Sequence, residues 1–168
     1  MTDLRHYIRD VPNFPKPGIL FRDIMPLLRE HLNETIDAMS ALLTPEEWQG
    51  IDAIAGIESR GFILAAGLAL RHGKGFVAIR KQGKLPPPVV SVPYDLEYGT
   101  GVLEMQKGEG RIVLVDDVLA TGGTLEAGAS LCLDAGYEIA RLMVLIDLKI
   151  VPDFRWEQQE VLSVLQYG

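Results

Sequence analysis

Apolar and polar positions in this chain fall into blocks that change period along its length. IDAIAGI (51–57) is a short, nearly continuous apolar run closed by the polar turn ESRG, as expected for a strand buried on both faces. FILAAGLALRH (62–72) is too long for such a strand, and Gly73 follows it, so it is predicted as a helix with a glycine stop. GFVAIR (75–80) predicts a second strand and KQGKLPPP (81–88) a loop. VVSVPYDLEYGTGVLEMQ (89–106) predicts two β segments around a glycine-containing connection. RIVLVDD (111–117) gives the clearest buried strand. TLEAGASLCLDAG (124–136) is predicted as a helix with Leu125, Ala129, Cys132 and Ala135 or Gly136 on one side. EIARLMVLIDL (138–148) is expected to be the last long strand. Before residue 51, residues 1–10 predict a short helix, and the three prolines of VPNFPKPGILFRD (11–23) predict extended or turning backbone. Pro26 fits the first turn of a helix running to about Leu43, and Thr44 fits the N-cap of TPEEW.

Strands alternating with helices imply β-α-β units. The expected fold is α/β, an open, mostly parallel twisted sheet flanked by helices. Ligands of such sheets bind at the carboxyl ends of the strands. A length of 168 residues fits one domain. The net charge of −7 argues against nucleic acid or an anionic membrane as a partner, while leaving room for a local basic patch. Cys132 is the one cysteine, so an internal disulfide and a cysteine metal cluster are both excluded. His6, His31 and His72 are scattered and read as surface or satisfied side chains. MTDLRHYIRD lacks the apolar core of a secretory signal, and no apolar run reaches the roughly 18 residues of a membrane span. A cytoplasmic protein is the expectation.

Asp116 and Asp117 stand side by side at the end of RIVLV, followed by Val118, Leu119, Ala120, Thr121, Gly122, Gly123 and Thr124. A glycine-containing turn at a helix start has free N–H groups and the positive end of the helix dipole, which suits a phosphate. Carboxylates accept hydrogen bonds from sugar hydroxyls. Together they suit a ribose 5-phosphate. The competing reading is a solvated turn, because Gly-Gly pairs are common in loops. The chain has no G-x-x-x-x-G-K-[ST] loop. GKGFVA (73–78) spells a dinucleotide fingerprint but precedes its strand, so it is rejected.

VLVDDVLATGGT resembles the phosphoribosyl pyrophosphate (PRPP) loop of type I phosphoribosyltransferases. FPKPGILFRDI, ESRGFILAAGLAL with IRKQGKLP, and YDLEYG narrow the resemblance to the adenine phosphoribosyltransferases; they occur in the family's order across nearly the whole chain. The resemblance implies one domain over 1–168, with an N-terminal hood over about 1–35 and a β-hairpin lid over about 85–106. It implies conversion of adenine and PRPP to AMP and diphosphate in purine salvage, with magnesium (Mg2+) carried through substrate oxygens and no protein metal cage.

The resemblance also implies the roles of single residues. Asp116 and Asp117 would hold the ribose hydroxyls, and Ala120, Thr121, Gly122, Gly123 and Thr124 the 5-phosphate. Ser59 and Arg60 would bind the diphosphate with the basic loop of Arg80, Lys81 and Lys84. Residue by residue, Ser59 also reads as a plain N-cap and the loop as a solvated charge run. Leu20 would read the purine edge through its backbone, Phe21 would stack on the base, and Arg22 would hydrogen-bond it. Val118 and Leu119 would form the opposite wall. The family often has leucine where this chain has Val118, a change that loosens the pocket slightly. Glu97 would assist proton movement and Tyr98 would cover the site. A homodimer is implied by basic-loop residues that can cross to a neighbouring subunit. The tail from Lys149 is shorter than is usual in the family, although VLSVLQYG resembles its ending. Transfer to another base, or a ligand-sensing regulator on the same fold, are the competing readings. The acidic charge disfavours a DNA-binding regulator.

Overall fold

The structure is a computed structural model that describes residues 3–96 and 99–168. Glu97 and Tyr98 therefore lie outside the described residues. After a 3-10 turn at Leu4–Tyr7, β1 (Arg9–Pro12) and β2 (Leu20–Asp23) pair as a small antiparallel sheet, with Phe21 opposite Val11 and Arg22 opposite Asp10. The expected helix over 1–10 is thus a single turn leading into a strand. α1 (Met25–Ser40) carries Pro26 in its first turn, and α2 (Pro45–Gln49) opens on a reciprocal cap between Thr44 and Glu47.

Then come β3 (Ala53–Ile57), α3 (Arg60–His72), β4 (Gly75–Lys81), β5 (Val89–Leu96), β6 (Gly99–Gln106), β7 (Gly110–Leu119), α4 (Gly123–Ala135) and β8 (Tyr137–Asp147). Two more strands follow, β9 (Arg155–Trp156) and β10 (Gln159–Gln166). The eight-stranded sheet has the order β5-β6-β4-β3-β7-β8-β10-β9. Its inner members, from β4 through β10, run parallel to one another. β5 and β6 form an antiparallel hairpin at one edge, and β9 pairs antiparallel at the other.

The tail corrects the expectation that 138–148 is the last long strand. Val161, Leu162, Val164 and Leu165 are only partly buried and pack against both cores. Such a mixed pattern is weak at the level of sequence. β10 gains its place by parallel pairing with β8, a contact with no local signature.

β7 shows why its run is continuous. Val113 and Val115 face a core built with Leu27, Met39, Trp48, Leu64 and Leu68, while Ile112 and Leu114 face one built with Leu125, Leu131 and Cys132. Both faces of the strand are covered, so apolar residues occupy both parities. α4 is buried nearly all round, wider than the single side predicted, and burial pushes the Cys132 thiol up to about 12. His72 stacks on Trp48 at 3.9 Å and meets the Ser40 hydroxyl at 2.7 Å. No helix among the described residues is long and apolar enough to cross a membrane.

Candidate active site

A cleft of about 340 Å³ opens at the carboxyl ends of the central strands. Four elements build it. β7 runs on through both aspartates to Leu119, because its backbone ladder to β8 continues, with Asp116 opposite Val144 and Leu119 opposite Asp147. The expected strand end at Asp117 is thus two residues early, and Val118 and Leu119 join Asp116 and Asp117 on the floor. Residues 120–124 form one end wall at the start of α4, and Leu20, Phe21 and Arg22 of β2 form the roof. Arg60, the first residue of α3, completes the ring.

The start of α4 has no side-chain cap. Its first N–H groups are therefore available to an anion, with the dipole behind them. Gly122 adopts φ +97°, and a Cβ there would lie 2.0 Å from the Phe154 ring. α3 approaches the aspartates closely because it begins Arg60-Gly61: a Cβ on Gly61 would stand 3.1 Å from Asp116 Oδ1. This approach brings Arg60 Nε to 2.8 Å from Asp117 Oδ2 and its guanidinium to 4.8 Å from the Phe21 ring centre.

Asp116 and Asp117 are 8% and 7% exposed, so neither carboxylate is well solvated. Burial, and then the negative charge of Asp117, push the Asp116 carboxyl well above the usual carboxylate range; Arg60 pulls weakly the other way. The Asp117 N–H donates to Asp116 Oδ1 at 2.8 Å. Arg60 pairs with Asp117 Oδ2 by charge, but its N–H does not align on that oxygen, which is left buried without a hydrogen-bond donor. The floor thus holds two buried carboxyls in unlike surroundings, Asp116 pushed toward its protonated form and Asp117 with an oxygen left as a spare acceptor. Among the described residues, no group of three or more His, Cys, Asp or Glu side chains is arranged to hold a metal.

Ser59, Arg80, Lys81 and Lys84 do not line this cleft. Ser59 is at the N-terminal boundary of α3 without a capping hydrogen bond, so its plain N-cap reading fails; the Glu58–Ser59 peptide is cis. Arg80 donates to Glu58 Oε1 at 3.1 Å, and the Lys81 N–H donates to the same oxygen at 2.9 Å. Burial opposes ionisation of Glu58, but these donors outweigh it and hold the carboxyl below the usual range. The Lys84 and Leu85 N–H groups donate to Glu104 Oε1 at 2.9 and 2.8 Å; the Leu85 bond leads in holding the Glu104 carboxyl low. The basic loop is therefore fastened by two carboxylates that the sequence reading missed. Both stand in quoted motifs: Glu58 in ESRG, as an acid that ends an apolar run, and Glu104 in VLEMQ, as an acid set between the apolar Leu103 and Met105. Asp95 and Leu148 also line the cleft unforeseen.

Glu104→Ala is expected to leave the Lys84 and Leu85 N–H groups without their acceptor and to cost about 1–3 kcal/mol of stability, while Glu104→Gln, which keeps an acceptor, stays near the parent. Thermal melting with hydrogen exchange at these two amides checks this. Unchanged protection of both amides in the alanine variant rules the fastening out.

A family profile described as phosphoribosyl transferase domain matches residues 30–155. A protein of Hydrogenovibrio crunogenus named adenine phosphoribosyltransferase is 52% identical over 165 residues, covering 98% of this chain and 96% of the relative. Among solved structures, APRTase from Giardia lamblia complexed with 9-deazaadenine superposes with a TM-score of 0.87 at 34% identity, covering 99% of this chain and 97% of that one. Adenine phosphoribosyltransferase from Saccharomyces cerevisiae, complexed with D-2,5-dideoxy-2,5-imino-altritol 1,6-bisphosphate and adenine, gives 0.86 at 33% identity, with 96% of each chain covered.

Proposed function

The chain belongs to the phosphoribosyltransferase family, and from that premise we propose that it transfers the phosphoribosyl group of PRPP to adenine, releasing AMP and diphosphate in purine salvage. The observation that carries the reading is the buried, donor-free Asp117 oxygen set between an uncapped helix start and an aromatic roof. A ribose hydroxyl supplies the missing donor, a 5-phosphate fits the helix start, and a planar base fits beneath Phe21.

Adenine N9 attacks the anomeric carbon as diphosphate leaves from the opposite face. The sugar gains cationic, oxocarbenium-like character in between. Asp116 and Asp117 hold the ribose hydroxyls, and Asp117, whose buried oxygen lacks a donor, faces that sugar with its negative end. Catalysis is mainly positioning with electrostatic stabilisation. Val118 and Leu119 give the base an apolar wall and exclude water. Leu20 backbone groups and Arg22 read the base edge. Arg60, Ser59 and the loop of Arg80, Lys81 and Lys84 receive the departing diphosphate, and Arg60 exchanges Asp117 for it. Glu97 and Tyr98, between β5 and β6, serve as lid residues, with Glu97 handling the proton of the base.

Magnesium would be held through substrate oxygens, in keeping with its preference for phosphate ligands and retained waters, with Asp116 and Asp117 facing the ribose. When bound, magnesium neutralises charge on the diphosphate. One domain over 1–168, with hood and lid, works as a cytoplasmic homodimer; Ile63 of α3 and Phe76 of β4 are exposed apolar side chains suited to a second copy.

The test is diphosphate release from PRPP and magnesium with adenine, hypoxanthine, guanine or orotate offered singly. Release with adenine alone is expected. Turnover of hypoxanthine without adenine overturns the base assignment, and no release with any base overturns the transferase reading.

A further inference from the structure

The strands of the hood are not part of the main sheet. Among the described residues, β1 and β2 form their own two-stranded sheet, with no ladder to the eight-stranded one. Its seating over the base therefore depends on side chains. Arg22 lines the cleft, and its guanidinium lies 4.2 Å from the ring centre of Tyr167, the penultimate residue. Arg5, the second residue of the 3-10 turn, lies 4.7 Å from the same ring centre and donates to the Gln166 carbonyl at 3.0 Å.

Two guanidinium groups on one aromatic ring repel each other, and the ring's π cloud offsets that repulsion for both. The ring itself is anchored. The Tyr167 N–H donates to the Asp147 carbonyl at 2.9 Å, at the end of β8. The next residue, Leu148, lines the cleft and donates its N–H to the Leu119 carbonyl at 3.0 Å. The ring is thus tied to the same strand ends that make the floor. On its other side, Arg22 Nη1 reaches Asp10 Oδ1 at 2.6 Å, across the β1–β2 register. Its side chain is only 18% exposed. Asp10 fixes Arg22 within the hood, and Tyr167 fixes it relative to the floor.

We propose that Tyr167 is a positioning residue for base recognition, holding Arg22 and with it the hood at the height over the floor that a planar base requires. The proposal rests on the reading of Arg22 as a base contact. Arginine cannot lose its charge at ordinary pH, so it keeps this grip whenever the ring is present. The grip acts on the base side of the cleft and leaves the phosphate cradle at the start of α4 untouched.

The test is steady-state kinetics of the full chain carrying Tyr167→Ala, Tyr167→Phe, Arg22→Ala, and Tyr167→Ala with Arg22→Ala, with folding checked by thermal melting. Tyr167→Ala is expected to raise the KM for adenine about tenfold and leave the KM for PRPP unchanged. Tyr167→Phe keeps the ring and is expected to match the parent. The double variant should be no worse than Arg22→Ala alone, because the two residues act through one contact. If Arg22→Ala raises the KM for adenine and Tyr167→Ala does not, the proposal is overturned while the reading of Arg22 stands. If neither does, the reading of Arg22 falls first. Equal rises in both KM values in Tyr167→Ala assign the ring a structural role only and also overturn it. Should the alanine variant fail to fold, Tyr167→Leu retains apolar bulk without the aromatic face and is judged by the same outcomes.

Discussion

Asp117→Asn is expected to lower turnover by roughly 10²–10³-fold, and Asp116→Asn by distinctly less. The two side chains are neighbours but differ in surroundings. Burial and the charge of Asp117 push the Asp116 carboxyl well above the usual range, so an uncharged amide is tolerated best there. Asp117 is the carboxylate that pairs with Arg60, and it keeps a buried oxygen without a donor. Stability should separate the pair as well. The Asp116 pKa is raised on folding, so its contribution is fully present below the unfolded value near 3.8 and is lost as pH rises through its folded value. Asp116→Asn removes that pH-dependent cost, and its melting temperature should match or exceed the parent's, with the gap widening as pH is raised. Asp117→Asn leaves the partly buried Arg60 without its ion-pair partner and should melt no higher than the parent. Turnover and melting curves across pH check both. A loss in Asp116→Asn as deep as in Asp117→Asn, without any gain in melting temperature, contradicts the division of labour.

Gly122→Ala is the other large effect. A left-handed residue with a Cβ costs about 1–2 kcal/mol, and Gly122 sits at φ +97°. The new Cβ would also stand 2.0 Å from one Phe154 carbon and 2.6 Å from another, so the ring has to leave. Displacing the cradle by as little as an ångström is enough for a loss of roughly 10²-fold in kcat/KM for PRPP. Removing the ring separates the two causes. Gly122→Ala with Phe154→Ala is expected to recover part of the melting temperature but little activity, because backbone strain at the cradle persists. Full recovery of activity in the double variant would assign the whole effect to crowding.

These residues also show which parts of the molecule could be read from the chain. β7, the uncapped start of α4, the glycine stop at Gly73 and the Thr44 cap each depend on neighbours in sequence, and all were legible. The extension of β7 past its aspartates was hidden, because polar side chains suggest an ending while the backbone ladder to β8 continues. β10 was hidden for a related reason: it joins β8 in parallel without an intervening helix, through a tail with Lys149, Glu157 and Gln158 at positive φ. Charge alone marked Arg80, Lys81 and Lys84. It gave no sign that Glu58 and Glu104 fasten their loop, since those contacts join the residue after β3 to the end of β4, and β6 to the segment after β4.

The grip of Arg5 and Arg22 on Tyr167 bears on the order in which the fold assembles. Residues 5 and 166, joined by a hydrogen bond, are 161 positions apart. Closing so long a loop costs chain entropy that an assembled sheet offsets, so the central strands are expected to form before the hood is seated. The phosphate side of the cleft is then complete before the base side.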